Sequence, residues 1–259
     1  MLLGNRHVQL NGLYLPANLA VQQCRRTCVP LHLTTGDEAW PIINRGTTFL
    51  YRVFGRRFCI FTRHQLGTDS DASRVFIRLT DDGRKLNGGA RFVYFHSDGQ
   101  REEHDLCAVE IPWVLDNGPD VRKFYEAHDG VPAMTNEADR LFALGYPTKL
   151  TQMRGEERSE HIAMSQVLVW ADHIDGDGSD LPMMRLREDS MVMRPRCGGD
   201  YDGFSGGPVF SISTESYAVE FRGIILRGGH DKLFFATAPW VNSLCRLALQ
   251  HEPCRVLAA

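Results

Sequence analysis

The sequence predicts an all-β protein. Short runs rich in β-branched and aromatic residues recur along the 259-residue chain, and turn-forming residues, including 24 glycines, separate them. Helical periodicity is rare, and strands do not alternate with helices as they do in a parallel α/β sheet. Many short strands at even spacing are typical of a barrel or a sandwich. The predicted strands are 48–54, 58–61, 75–79, 91–95, 166–170, 209–212 and 223–226.

Two segments carry helical signals. The segment 119–128 begins with Pro119, and proline is favoured in the first turn of a helix. The segment 238–250 has apolar residues at helical spacing. We therefore expect a short helix in the first segment and a second helix that closes the chain.

Composition and charge exclude several classes of protein. Hydrophobic residues make up 43% of the chain, which is enough for a packed core in one large unit or two small domains. The net charge of −3 lacks the basic excess of nucleic-acid-binding proteins. No stretch approaches the roughly 18 apolar residues of a membrane-spanning helix, and the first twenty residues lack the pattern of a secretory signal. We expect neither nucleic acid nor a membrane among the partners.

The seven cysteines favour a reducing compartment. An odd number does not fit a fully paired set of disulfides, so the sequence predicts free thiols in a cytoplasmic protein. Cys24 and Cys28 have the spacing of half a zinc site, but no second pair stands at ligand spacing. We accordingly predict no metal and no other cofactor.

The segment GFSGGP, residues 203–208, carries the clearest chemical signal. A serine hydroxyl is a weak nucleophile until a base takes its proton. Glycines on both sides of Ser205 allow a tight turn that can point two backbone N–H groups at one place and so form an oxyanion hole. A glycine-rich hairpin without chemistry has the same composition, so the segment alone leaves both interpretations open.

GFSGGP resembles the GxSGGP motif of the chymotrypsin/trypsin family of serine proteases. In that family the catalytic residues follow the order His, Asp, Ser, and matching flanks for the first two lie upstream. His64 ends the apolar run RFCIFTRH, which resembles the family's TAAH strand end, and Asp105 begins DLCAV, which resembles its D(I/L)A(L/V)L element. The resemblance implies a triad of His64, Asp105 and Ser205, with the backbone N–H groups of Gly203 and Ser205 as the oxyanion hole.

Three more segments resemble the same family. GTTFL before the histidine resembles its GxGF(V/L) strand, LGYP resembles a strand early in its second barrel, and GIILRG resembles the GI(V)SWG strand that lines the substrate cleft. The resemblance covers about residues 46–250 and implies two six-stranded antiparallel β-barrels of the trypsin-like kind with a C-terminal helix. It divides the chain into an N-terminal extension at 1–45 that leads into the first barrel, the first barrel at 46–130, and the second barrel with the helix at 131–259.

The family's chemistry implies a serine endopeptidase that works through an acyl-enzyme, without metal or cofactor. Its partners would be a protein or peptide substrate and a regulatory protein, since an endopeptidase inside a cell must be restrained. Acidic residues near the expected pocket favour a basic side chain at the cleaved position, whereas Arg227 stands where the family has an aromatic residue. The residues expected to bind substrate are Gly199, Asp200, Asp202, Leu226, Arg227 and Gly228.

Three positions depart from the secreted members of the family. Gln65 and Tyr201 stand where those members often have cysteines, which agrees with free thiols. Phe204 stands where the digestive enzymes have an aspartate that pairs with a newly cut N-terminus, and a phenyl ring cannot accept that charge. We expect the loop 199–203 to be held by packing of Phe204, or to become ordered only when a substrate or partner binds.

Two other interpretations stay open. A catalytically silent module could keep the fold and bind a partner, although intact His, Asp and Ser argue against it. An esterase of the α/β-hydrolase fold also uses G-x-S-x-G, but it places its histidine after the serine, where only His230 and His251 stand.

Overall fold

The two halves of the chain form two different β structures. The computed structural model is mostly strand, as the sequence predicts, and it contains one closed six-stranded barrel and two α-helices. It describes residues 6–38, 42–67, 72–78, 85–87, 92–94, 105–111, 124–127, 139–150, 152–156, 159–174, 181–187, 201–229 and 231–250.

The chain begins with a hairpin and a helix that the sequence did not predict. β1 (His7–Leu10) pairs antiparallel with β2 (Leu13–Pro16), and α1 (Ala17–Arg26) follows directly. Proline is tolerated before a first helical turn because the N–H it lacks would have no intrahelical partner there. The residues that α1 buries are small: Ala17, Ala20 and Cys24.

The first half forms a sheet of eight strands. Seven run in the order β7-β6-β3-β4-β5-β9-β8, and the eighth, β10, pairs parallel with β4. Within the described residues the two end strands do not pair with each other, so the first predicted barrel is found only as this sheet. The sheet already includes β3, which begins at Cys28, so it starts before residue 46, the boundary predicted for the first barrel. Its strands are β3 (Cys28–Thr34), β4 (Ile42–Val53), β5 (Arg56–Thr62), β6 (Val75–Arg78), β7 (Lys85–Asn87), β8 (Phe92–Tyr94), β9 (Leu106–Glu110) and β10 (Tyr125–Glu126).

The second half forms the closed barrel. Six antiparallel strands follow each other around it in the order β11-β14-β15-β18-β17-β16, which is the six-stranded barrel expected there. Closure of the ring gives each strand a neighbour on both sides over part of its length. The strands of this half are β11 (Arg140–Gly145), β12 (Gln152–Glu156), β13 (Ser159–Ala163), β14 (Val167–Ile174), β15 (Met183–Leu186), β16 (Pro208–Ile212), β17 (Val219–Gly229) and β18 (Lys232–Thr237); β12 and β13 form a separate hairpin.

One of the two predicted helices is confirmed, and the other is wrong in the residues that the structure describes. Helix α2 (Ala238–Gln250) spans the predicted residues. The segment predicted as a helix at 119–128 contains β10 instead, and Ala127 N–H donates to Arg52 O at 2.8 Å. Pairing with the neighbouring strand outweighs the weak local preference of this segment for a helix; residues 119–123 and 128 lie outside the described residues.

An aromatic core joins the sheet to the barrel. Phe49 from β4 stacks on Phe221 from β17, with ring centroids 4.7 Å apart, and meets Phe210 from β16 edge-on at 5.9 Å. Tyr125 also lies 5.3 Å from Phe210. Because one buried cluster includes residues of both halves, the seam between them is packed and fixed. No helix in the described ranges is long and apolar enough to cross a membrane.

Candidate active site

His64 and Asp105 meet at the ends of two paired strands. Asp105 comes directly before β9, which pairs with β5, and His64 lies in the 3₁₀ turn that follows β5. Asp105 Oδ2 lies 2.5 Å from His64 Nδ1, and Asp105 Oδ1 accepts the backbone N–H of His64 at 2.9 Å. A carboxylate that accepts from Nδ1 leaves Nε2 as the ring nitrogen with a lone pair. The His64 side chain is 52% exposed, so the ring is accessible to a substrate.

Ser205 is the second residue in the second of two successive tight turns. Phe204 N–H donates to Tyr201 O at 3.0 Å and closes the first turn, and Gly207 N–H donates to Phe204 O at 2.8 Å and closes the second. Phe204 therefore ends one turn and begins the next. The double turn presents Ser205 at the start of β16, on the seam between barrel and sheet.

Glycine is required at the third position of each turn. Gly203 has φ +95° and Gly206 has φ +83°, the left-handed conformation that type II turns need at this position. Space is also lacking, because a Cβ atom on Gly203 would lie 2.4 Å from Tyr146 O and one on Gly206 would lie 2.1 Å from Thr47 O. The glycines of the GFSGGP segment thus follow from backbone geometry and close packing.

In the serine loop, residues 201–207, the N–H groups of Gly203 and Ser205 have no acceptor among the described residues. The carbonyl groups of the same two peptides are bound elsewhere: Asp202 O accepts Thr148 N–H at 3.0 Å, and Phe204 O accepts the second-turn N–H. Since the C=O and N–H of a trans peptide point in opposite directions, both N–H groups are held facing away from these contacts. Two fixed, unused N–H donors can stabilise an oxyanion.

The Ser205 hydroxyl donates to Leu226 O at 3.0 Å and makes no hydrogen bond to His64. Leu226 lies at a break in the register between β17 and β18, where a bulge turns its carbonyl towards the serine. The turn that carries His64 is nonetheless tied to the serine loop, because the side chain of the next residue, Gln65, donates to Ser205 O at 2.9 Å. Transfer of the serine proton to His64 requires the hydroxyl to rotate about its Cα–Cβ bond, and such catalytic hydrogen bonds often tighten only when substrate binds.

The predicted substrate-binding residues have different outcomes. Gly199 and Asp200 lie outside the described residues. Asp202, Arg227 and Gly228 are exposed, and the Arg227 guanidinium lies 3.9 Å from the centroid of the Phe234 ring. Leu226 is buried, and its backbone oxygen accepts the Ser205 hydroxyl, so the strand that carries Leu226 and Arg227 lies next to the serine loop.

This strand offers a sheet edge beside Ser205. The register of β17 with β16 ends at Ile224, whereas its register with β18 continues to Gly229. Within the described residues, Gly228 and Gly229 therefore have a strand partner, β18, on one side only. An extended peptide can add to such an edge as a further strand, with main-chain hydrogen bonds supplying affinity.

Phe204 packs inside the barrel. Its side chain is 1% exposed, and its ring meets that of Tyr201 edge-on with centroids 5.4 Å apart. Of the two arrangements expected for the loop before the serine, packing of Phe204 is the one seen for residues 201–204. No charged group is needed to seat this side chain.

Thr47 is a site residue that the sequence analysis missed. It is fully buried; its hydroxyl donates to Gly203 O at 2.5 Å and accepts Tyr146 N–H at 2.9 Å. Its backbone N–H donates to Ser205 O at 3.2 Å. The only feature of the sequence that could have pointed to Thr47 is its place directly after the glycine of the GTTFL segment.

The cysteines lie away from this chemistry. Five are described, and all are buried free thiols whose pKa burial raises above the ordinary value: Cys24, Cys28, Cys59, Cys107 and Cys245. The remaining two, at 197 and 254, lie outside the described residues. Across the described part of the chain, no group of three or more His, Cys, Asp or Glu residues is arranged to hold a metal ion.

Neither a protein-family model nor a curated protein matches this chain. The resemblance to the chymotrypsin/trypsin family therefore rests on the short motifs and on the geometry that brings them together.

Proposed function

We propose that this protein is a serine endopeptidase with His64, Asp105 and Ser205 as its catalytic triad. One observation carries the proposal: the turn that holds the Asp105-bound His64 is joined, through Gln65, to the loop of Ser205, where the Gly203 and Ser205 N–H groups have no acceptor among the described residues. The hydrogen bonds that His64 donates to Asp105 support a base and its orienting residue. The N–H groups of Gly203 and Ser205 support an oxyanion hole.

In the proposed reaction the Ser205 hydroxyl rotates from Leu226 O towards His64 Nε2. Its oxygen bonds to the carbonyl carbon of the peptide while His64 takes the proton, and the Gly203 and Ser205 N–H groups stabilise the negative oxygen. His64 then protonates the leaving amine as the C–N bond breaks, which leaves an acyl-enzyme. Water hydrolyses this ester with His64 again as the base, and Asp105 stabilises the imidazolium at each stage.

A peptide is the substrate that the sheet edge of β17 favours, because an extended backbone can pair with it beside the nucleophile. Asp202, which is exposed in the serine loop, supports a basic residue at the cleaved position, together with Asp200 of the same sequence segment. Buried free thiols are consistent with a reducing compartment such as the cytoplasm. A regulatory protein partner remains part of the proposal for an endopeptidase working there.

A silent binding module of the same fold is the second candidate. The hydrogen bond from Ser205 to Leu226 O favours it, since a serine turned away from the histidine is not activated in that state. An α/β-hydrolase esterase lacks support, because that fold requires a parallel sheet covered by helices and the described sheets are mostly antiparallel.

Covalent labelling with a fluorophosphonate separates an enzyme from a silent module, because the reagent reacts with serine only when a base and an oxyanion hole activate it. We expect one phosphonyl adduct per chain on Ser205. Ser205→Ala should abolish the adduct, and Ser205→Ala or His64→Ala should lower peptide turnover about 10⁶-fold. Ser243→Ala is the matched control, since the exposed Ser243 also donates to a backbone carbonyl, Pro239 O at 2.9 Å; it should leave labelling unchanged. Absence of labelling in the folded wild-type protein would reject the enzyme in favour of the silent module.

A further inference from the structure

Gln65 is a buried amide that lies between the two candidate catalytic segments. Its side chain is 2% exposed. Its Oε1 accepts the backbone N–H of Thr62 at 2.8 Å and the Thr62 hydroxyl at 2.9 Å. Its Nε2 donates to Arg45 O at 3.0 Å, to Thr47 O at 3.2 Å and to Ser205 O at 2.9 Å. One side chain thus ties the end of β5 to β4 and to the serine loop.

The environment of Gln65 requires an amide. Two donors face its oxygen and three carbonyl groups face its nitrogen, so the site needs an acceptor at one end and a donor at the other. Only Asn and Gln carry both in one neutral group of fixed geometry. A carboxylate lacks the donor, and an apolar side chain lacks both, so either would leave buried carbonyl groups without a partner.

Glycines from both halves of the protein make room for this amide. A Cβ on Gly46 of the sheet would lie 2.6 Å from Gln65 Nε2, and one on Gly206 of the serine loop would lie 2.9 Å from Gln65 Oε1. The fit is therefore close on both sides of the seam. In secreted proteases of the resembling family a cysteine often stands at this position, next to the histidine; here an amide stands there.

We propose that Gln65 is a positioning residue that sets the place of the base relative to the nucleophile. Its oxygen fixes Thr62, the residue directly before the turn that carries His64, and its nitrogen fixes the carbonyl of Ser205. This inference rests on the proposed serine protease function, and it matters because a misplacement of about 1 Å can lower a rate about 10²-fold.

The test compares Gln65 with a second glutamine that joins the same two halves. Gln166 Nε2 donates to Arg25 O at 2.8 Å and to Cys28 O at 3.0 Å, and its Oε1 accepts Arg25 Nε–H at 2.8 Å. It contacts neither candidate catalytic residue in these hydrogen bonds. Gln166→Met therefore removes cross-seam amide bonds of the same kind without touching the active site.

Fluorophosphonate labelling rates of folded protein give the readout, with urea unfolding used to confirm folding. We expect Gln65→Met to slow labelling by about 10- to 10²-fold and Gln166→Met to leave it within about twofold of wild type, as expected for a site away from the reacting atoms. Wild-type labelling by the Gln65→Met protein, or equal slowing in both variants, would overturn the positioning role. A wild-type protein that is not labelled at all rejects the proposed function, and the positioning role with it.

Gln65→Glu keeps the shape of the side chain and is the second test variant, to be used if Gln65→Met does not fold. The introduced carboxyl group has a donor for Ser205 O only when it is protonated. Its labelling rate, divided by that of wild type at the same pH, should therefore fall as the pH rises. The ionisable groups of the packed elements are Arg45, Tyr51 and Arg52 on β4, Arg56, Arg57 and Cys59 on β5, Arg63 and His64 on its own turn, Asp105 before β9, and Tyr201 and Asp202 in the serine loop. Of these, Arg45 donates to the backbone oxygen of Gln65 at 2.8 Å, and its positive charge favours the ionised form of the introduced carboxyl group. A ratio of one at every pH would overturn the proposal.

Discussion

The ring of Phe204 lies directly over the backbone of Gly145: a Cβ atom on Gly145 would be 2.7 Å from two of its ring carbons. Gly145 ends β11, and Phe204 immediately precedes the candidate nucleophile. Because Gly145 has no side chain, its backbone can pack directly against the ring of Phe204 in the serine loop. In this loop Phe204 is therefore held by an apolar contact.

Gly145→Ala should displace Phe204 and with it the N–H groups of the serine loop. Overpacking of this kind costs about 1–3 kcal/mol of the free energy of unfolding. We expect the fluorophosphonate labelling rate to fall about tenfold or more, because the donors no longer point at one place. Phe204→Leu in the Gly145→Ala background removes the clash and should restore part of the rate. An unchanged rate and stability in Gly145→Ala would show that this contact does not hold the loop.

Activity should not depend on a new N-terminus. The N-terminal hairpin is attached elsewhere, since Gln9 N–H donates to Tyr217 O at 2.7 Å and the Arg6 guanidinium lies 5.8 Å from the centroid of the Tyr217 ring. Tyr217 lies beyond the opposite end of β16 from Ser205, and a five-residue strand is about 16 Å long. Protein with extra residues before Met1 should therefore label at the wild-type rate. Intact-mass measurement checks that the chain is uncut, and activity that appears only after N-terminal cleavage would contradict the prediction.

Sequence patterns identified those parts of the fold that have strong local signals. Helix α2 was predicted to the residue because its buried positions, from Ala238 to Ala248, carry a clear apolar stripe. Helix α1 was missed because it buries two alanines and a cysteine, which give a weak pattern. The segment around Tyr125 was assigned to a helix because its parallel partner, Tyr51, lies 74 positions earlier in the chain, and no local window contains that pairing.

The site residues divide in the same way. His64 and Asp105 could be paired from flanking motifs because each ends or begins a strand, and the structure joins them by two hydrogen bonds. Thr47 and Gln65 could not be found, since their partner Ser205 follows them by 140 positions or more. Their role depends on the packing of sheet against barrel, which a single sequence does not reveal.

Asp105→Asn should lower kcat about 10⁴-fold while the protein stays folded. Both carboxylate oxygens accept hydrogen bonds from His64, and an amide can offer only one acceptor oxygen. The ring is then free to adopt the tautomer that cannot take the serine proton at Nε2. Asp172→Asn is the control, because Asp172 pairs with Arg187 at 3.0 Å on an exposed part of the barrel. Full activity in Asp105→Asn would remove Asp105 from the triad.

All seven thiols should be free, and the described ones should be protected in the native protein. Five are buried, and burial raises the pKa of each above its ordinary value of 9.0. A buried thiol that keeps its proton reacts slowly, since the thiolate is the nucleophile. Titration of the denatured, unreduced protein should report close to the seven cysteines of the sequence, whereas native protein should react much more slowly. Three disulfides in the denatured sample would contradict the free-thiol prediction.

The same thiols make stability fall at alkaline pH. A raised pKa in the folded protein means that folding favours the protonated thiol, so the contribution is fully present below the unfolded value of about 9. Above that pH the unfolded chain loses protons that the folded chain retains, which stabilises the unfolded state. Each retained proton then lowers the free energy of unfolding by about 1.4 kcal/mol per pH unit until the pH reaches the folded pKa.

Urea unfolding at a series of pH values measures how steeply the free energy of unfolding falls with pH. Cys59→Ala, which removes one fully buried thiol, should make this slope shallower by about the contribution of one proton. Because Cys59 lies in the sheet core, away from the seam, its loss should leave the labelling of Ser205 unchanged. A slope that is the same in wild type and Cys59→Ala would mean that this thiol ionises alike in the folded and unfolded chains, contrary to its burial.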